Sequence, residues 1–258
     1  MAIVRAETHL ARAAGCLLTV TFRGALPSPL VDVFFVTSSL HKLTLNGNLS
    51  NAAIGFRLPW SQITEYAADS DYNREHFAML ALLKTNPALR RLYVNRGCIL
   101  DLDLPQLEEF TFEPLDTEVG WEDPLQNLSA FLALSRPPLT KLCLIGPDYS
   151  DVLLVDVLRQ TPAFVDLCIQ CRHNKTVETV DLAEVADFLH VGDEIHLPAL
   201  QTVTFGGYGF EDYAKPGETV ESRWRHASCP LTSFGLITRL EIGQAAAAKF
   251  KTLQTEGL

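Results

Sequence analysis

The chain has 258 residues, 47% of them hydrophobic, with a formal net charge of −10. That acidic balance argues against a nucleic-acid partner, because phosphate contacts need clustered lysine and arginine. No apolar run of about 18 residues offers a transmembrane helix, and residues 1–9 lack the basic and apolar segments of a signal peptide, so no membrane role is expected.

Helix-like stretches alternate with short extended ones along the chain. Residues 7–14 and 30–39 read as helices ahead of extended segments that start at Leu17 and Leu40. Residues 73–85 offer Asn73 as an N-cap and place Phe77, Leu80 and Ala81 on one face. Residues 125–134 present Leu125, Leu128 and Leu132. Residues 150–160 open with a capping Ser150 and carry Leu153, Leu154, Val157 and Leu158. Residues 181–190 set Asp181 and Glu184 close to a capping box, and residues 219–226 form a shorter, more polar stretch. Pro59, Pro87, Pro105, Pro138, Pro162, Pro198 and Pro230 each fall one or two residues before an extended segment. Proline lacks an amide donor and disfavours helix in the residue before it, so it marks the switch from helix to strand.

The extended segments share a spacing. Leu40-His-Lys-Leu43-Thr-Leu45-Asn-Gly-Asn48 fits L-x-x-L-x-L-x-x-N, the leucine-rich-repeat signature. Looser copies begin at Leu17, Trp60, Leu89, Leu107, Leu139, Phe164, Leu200 and Leu231, on average about 27 residues apart, within the usual 20–29. The pattern predicts an α/β fold: an irregular leucine-rich-repeat-like solenoid, with a parallel sheet on one face and helices on the other. A single domain would span residues 1–258 in about nine irregular repeats. Strand centres are expected at Val20, Leu43, Ile63, Leu92, Phe110, Leu142, Leu167, Val203 and Phe234. Positions 1, 4 and 6 of each copy should face the core, and positions 3, 5 and 7 solvent. Position 5 then reads Thr21, Thr44, Thr64, Tyr93, Thr111, Cys143, Cys168, Thr204 and Gly235. The Trp60 copy fits poorly, since it sets Glu65 at a core position; Trp60, Ile63 and Tyr66 are its alternative core set.

The helix-proline-strand units, Leu58-Pro-Trp-Ser-Gln-Ile63 and Val220-Glu-Ser-Arg-Trp-Arg225 resemble the F-box/leucine-rich-repeat proteins of mushroom-forming fungi. Residues 250–258, Phe-Lys-Thr-Leu-Gln-Thr-Glu-Gly-Leu, resemble that family's closing helix. The resemblance covers the repeat portion only. It implies the substrate-recognition half of a ubiquitin-ligase subunit, without the F-box that docks a Skp-type adaptor. An adaptor is expected as partner only where an F-box lies upstream. A stand-alone repeat scaffold, or a truncated gene product, is the alternative.

The six cysteines (Cys16, Cys98, Cys143, Cys168, Cys171 and Cys229) are not spaced as a small disulfide framework, so reduced thiols in a cytoplasmic or nuclear protein are expected. Cys168-Ile-Gln-Cys171 with His173 has a metal-like look but lacks the second ligand pair of a zinc site. Gly206-Gly-Tyr-Gly209 reads as a flexible loop, and no nucleophile elbow, metalloprotease helix or phosphate-binding loop occurs. Neither catalysis nor a cofactor or metal is expected. Trp224 reads as a packing residue covered by the stem of Arg223 or Arg225. The expected function is binding of a protein partner through solvent-facing strand positions: Lys42, Asn46, Arg91, Tyr93, Asn95, Glu109, Glu113, Lys141 and Asp166. Trp121 and Tyr208, on two flanking loops, would extend the surface. Tyrosine and arginine are favoured anchors because they combine contact area with hydrogen-bonding groups.

Overall fold

The computed structural model describes residues 7–8, 18–23, 40–46, 60–69, 83–84, 86–94, 99, 102–114, 124–146, 149–171, 182–207, 213–229, 231–238 and 241–257. They divide between two compact units. The first lies within Met1–Leu115 and Ala133–Pro138, the second within Asp116–Leu132 and Leu139–Leu258.

In the first unit, β1 (Glu7–Thr8) pairs antiparallel with β2 (Leu18–Arg23). The predicted helix over residues 7–14 is therefore wrong at its start, where the backbone bonds to β2 across the Glu7–Thr21 and Thr8–Val20 rows. From β2 onward the strands run parallel in sequence order: β3 (Leu40–Asn46), β4 (Glu65–Asp69), β5 (Arg91–Val94) and β6 (Glu109–Phe112).

The register corrects the third copy. Glu65, Tyr66, Ala67 and Ala68 pair with Lys42, Leu43, Thr44 and Leu45, so Ile63, Tyr66 and Ala68 occupy positions 1, 4 and 6. All three are buried, while Trp60 opens a 3-10 turn, Trp60–Gln62, ahead of the strand. The strand centre moves from Ile63 to Ala67, and position 5 passes from Thr64 to Ala67. Burial also pushes the Tyr66 hydroxyl pKa up, as expected for a phenol removed from water.

The copies that begin at Leu40, Leu89 and Leu107 keep the predicted core positions. Leu40, Leu89 and Leu107 are buried at position 1, Leu43, Leu92 and Phe110 at position 4, and Leu45, Val94 and Phe112 at position 6. Just ahead of β5, the buried Asn86 donates through Nδ2 to the carbonyls of Trp60 (2.8 Å) and Ile63 (2.9 Å) and accepts from Ala88 N–H. One amide thus satisfies backbone groups of two successive copies. Ser135 acts similarly, donating to Leu102 O and accepting from Leu104 N–H.

The second unit repeats the scheme with β7 (Lys141–Gly146), β8 (Asp166–Cys171), β9 (Thr202–Gly207) and β10 (Ser233–Thr238), parallel and in order. Entry into these strands is stereotyped. Val165 and Asp166 N–H share Thr140 O, Gln201 and Thr202 share Val165 O, and Thr232 and Ser233 share Gln201 O. Arg90 and Arg91 share Thr64 O in the same way in the first unit.

Helix α1 (Pro124–Ser135) buries Leu125, Leu128, Phe131 and Leu132, a helical stripe that includes the predicted trio. Then follow α2 (Asp151–Arg159), α3 (Ala183–Leu189), α4 (Ala214–Trp224) and α5 (Gln244–Thr255). Ser150 stands at the N-cap of α2 but makes no side-chain capping bond. Its neighbour Asp151 instead accepts from Glu184 N–H (3.1 Å), supplying a carboxylate to the orphan amides that open α3.

Successive helices pack on each other as successive strands pair. Arg159 lies 5.6 Å over the Phe188 ring, Thr219 donates to Ala186 O, and Lys249 pairs with Glu221 at 2.9 Å. Helix α4 begins five residues earlier than predicted, because Pro216 sits in its first turn, where proline is tolerated. Phe234 is only half-buried on β10, the last strand of this set, but its ring stacks on Phe250 of α5.

In the Val220–Arg225 stretch the division of labour differs from the expectation. Arg223 is fully buried, donating from Nε to Leu189 O, from Nη1 to Leu197 O and from Nη2 to His196 O. Arg225 stays exposed, pairing with Glu221 and Glu256.

Candidate functional site

Side chains alternate along a strand, so burying positions 4 and 6 leaves positions 3, 5 and 7 on the opposite face. In the first unit the position-3 row carries alternating charge: Lys42, Glu65, Arg91 and Glu109. Lys42 meets Glu65 at 3.0 Å, Arg91 Nη1 meets Glu65 at 2.5 Å, and Arg91 Nε meets Glu109 at 2.7 Å. Burial raises the Glu65 pKa, but bonds from Lys42 and Arg91 outweigh it and hold the carboxyl below its usual value. Bonds to Glu109 and Glu65 raise Arg91 in turn. Arg90 and Glu108 form a further pair beside the row.

The position-5 row runs Thr44, Ala67, Tyr93 and Thr111. Ala67 is smaller than its neighbours, and the row dips there into a hollow of ≈ 180 Å³. Lys42, Glu65, Arg91, Glu109, Tyr93 and Thr111 line it with Ala67. Tyr93 donates its hydroxyl to Glu113 at 2.6 Å. Glu113, expected on the solvent side, is only 7% exposed; its carboxylate serves to hold the tyrosine. Glu65 and Ala67, the centre of this hollow, escaped the sequence reading because the third copy was set in the wrong register.

In the second unit Lys141 and Asp166 pair at 2.7 Å, half-exposed, on neighbouring strands. Beside them, in the position-5 row, Cys143 faces Cys168. Cys171 does not join Cys168 in a chelate. The two lie three residues apart on β8, so they point to opposite faces, and Cys171 is buried. Gly206 and Gly207 belong to β9 rather than to a loop. A Cβ on Gly206 would stand 2.8 Å from Gln170 Cγ, so glycine makes room for the glutamine laid across that strand.

Of the predicted contact residues, Lys42, Arg91, Tyr93 and Glu109 converge around one hollow, and Lys141 and Asp166 belong to the second unit's face. Asn95, Trp121 and Tyr208 lie outside the described residues, as do His173 and the predicted helix at 30–39. Among the described residues no three His, Cys, Asp or Glu side chains are grouped to hold a metal ion, and no helix is long and apolar enough to cross a membrane. Comparison with family models, curated proteins and solved structures found no match to this chain.

Proposed function

We propose that the chain is a leucine-rich-repeat-like solenoid that binds a protein partner through the open face of its strands. The supporting observation is the Lys42–Glu65–Arg91–Glu109 row around the hollow beside Tyr93. These charges stand on paired strands rather than on loops, and each is held by its neighbours. A fixed pattern of alternating sign selects a partner of complementary, mixed charge and disfavours like charges in the wrong register. Tyr93 and Arg91 supply the contact area and directional donors that anchor such an interface. The hollow suits one protruding side chain of the partner better than a metabolite, since its walls are charged and its ≈ 180 Å³ falls short of the roughly 300–1,000 Å³ usual for a small-molecule pocket.

Within this reading the protein is the substrate-recognition region of an F-box-type ubiquitin-ligase subunit. It carries out no step of ubiquitin transfer itself, and its contribution there is to hold the target where another subunit acts. The resemblance of Val220–Arg225 and of the repeat units to that family is what supports the ligase link.

Two measurements separate the parts of the proposal. Proteins captured by the wild-type chain should be lost with Arg91→Ala combined with Tyr93→Ala, and retained with Arg159→Ala on the helical side. Full binding by the double variant would remove the strand face as the site. Co-purification of a Skp-type adaptor with the full gene product supports the ligase role. Partner binding with no adaptor in any preparation leaves a stand-alone scaffold.

A further inference from the structure

We propose that Cys143 and Cys168 form a redox-active dithiol that takes a hydroperoxide as substrate and closes to an intramolecular disulfide. The pair belongs to the second unit and is independent of the charged hollow. Cys143 and Cys168 are direct partners in the parallel β7–β8 register. Adjacent strands lie about 4.7–4.9 Å apart, within the roughly 4.4–6.8 Å between α-carbons that a disulfide spans. Both thiols are free and only partly buried, on the face opposite the core. Neither therefore needs the sheet to open before a small oxidant reaches it.

Their surroundings make the two sulfurs unequal. Gln170 Nε2 donates to the Cys168 sulfur at 3.3 Å, a bond that favours a thiolate there. Donation from Cys143, stronger than the opposing effect of burial and assisted by Gln170, brings the Cys168 thiol down to about 7. The same hydrogen bond raises Cys143, which keeps its proton. Lys141 and Asp166 flank the pair and offset each other through their own ion pair. Gly206 completes the arrangement, because any side chain there would displace the Gln170 stem.

The chemistry follows from that inequality. The Cys168 thiolate attacks the distal oxygen of a hydroperoxide; a sulfur–oxygen bond forms, the oxygen–oxygen bond breaks, and the leaving alkoxide takes a proton and departs as alcohol or water. Cys143 then attacks the sulfenic sulfur, the sulfur–sulfur bond forms, and the hydroxyl leaves with the Cys143 proton as water. Two thiols lose two electrons and the peroxide gains them. A second dithiol, by exchange, restores the reduced pair.

The test treats the full-length chain with stoichiometric hydrogen peroxide and maps its peptides without reductant. The wild-type protein should yield the Cys143 peptide joined to the Cys168 peptide. Cys143→Ser should instead stop at a dimedone-reactive sulfenic acid on Cys168. Cys168→Ser should consume peroxide at least about tenfold more slowly, since the pair's other thiol, Cys143, is the protonated one. In concentrated urea the wild-type chain should lose this preference, which depends on the strand register and needs no variant to fold. Absence of the joined peptide, or the same yield of it in urea, overturns the proposal. So does an unchanged rate of peroxide consumption in Cys168→Ser.

Discussion

Replacing Arg223 should unfold the second unit more readily than any other single exchange of a charged residue described in it. The guanidinium is 1% exposed and meets three backbone carbonyls, those of Leu189, His196 and Leu197. It ties the end of α3 to the segment leading into β9, where Leu197 is held at φ 48, a conformation costly for a branched residue. Hydrogen bonds to a charged group are worth about 1.5–3 kcal/mol each, and burying the guanidinium takes back several kcal/mol of that sum. Arg223→Met keeps the apolar stem but leaves the carbonyls unpaired, for a net loss of about 3–5 kcal/mol. Arg223→Lys restores charge without the planar fork, so a single ammonium should recover no more than about one bond, or 1.5–3 kcal/mol. Urea unfolding followed by circular dichroism gives the free energies, and amide exchange across residues 189–200 localises them. A Met variant within about 1 kcal/mol of wild type, or unaltered exchange in that segment, would refute the clamp.

Leu142→Ala and Leu167→Ala remove fully buried neighbours on β7 and β8 and should each cost roughly 2–5 kcal/mol in urea unfolding; under about 1 kcal/mol at both sites would deny them a core role. Asn86→Ala should cost roughly 2–4 kcal/mol, from three lost bonds of about 0.5–1.5 kcal/mol each. Asn86→Asp should be worse still, because a carboxylate would face the carbonyls of Trp60 and Ile63; a milder effect than Ala contradicts the geometry. The Glu65 pKa is depressed in the folded state, so its stabilising contribution is complete above the ordinary value of 4.5 and lost as pH falls through the lower folded value. The gap in melting temperature between wild type and Glu65→Gln should therefore hold from neutral pH to about that point and close in more acidic buffer. A gap that persists in acid would mean that Glu65 is not held by Lys42 and Arg91.

The parallel strands and most of their inward residues were legible from spacing alone. A period-2 alternation anchored by Leu40, Leu43 and Leu45 leaves one register that buries the leucines, and the same holds for Leu139, Leu142 and Leu144. The helices were legible where apolar residues recur at helical spacing, as at Leu125, Leu128 and Leu132, and misplaced in the more polar stretch placed at residues 219–226, where α4 already begins at Ala214. The third copy failed because tyrosine and alanine stand where the pattern wants leucine. Only hydrogen bonding between β3 and β4 sets Tyr66 beside Leu43 and turns Glu65 outward.

What the sequence determined by itself is therefore which residues of a strand share a face, since alternation is a property of one strand. Which residues meet across strands depends on register between segments some twenty residues apart, and that belongs to the tertiary structure. The place of Glu65 in the charged row and the hollow over Ala67 arise at that level. So does the choice among neighbouring arginines. Nothing local distinguishes Arg223 from Arg225, and only the unpaired carbonyls at the end of α3 decide which is drawn inside.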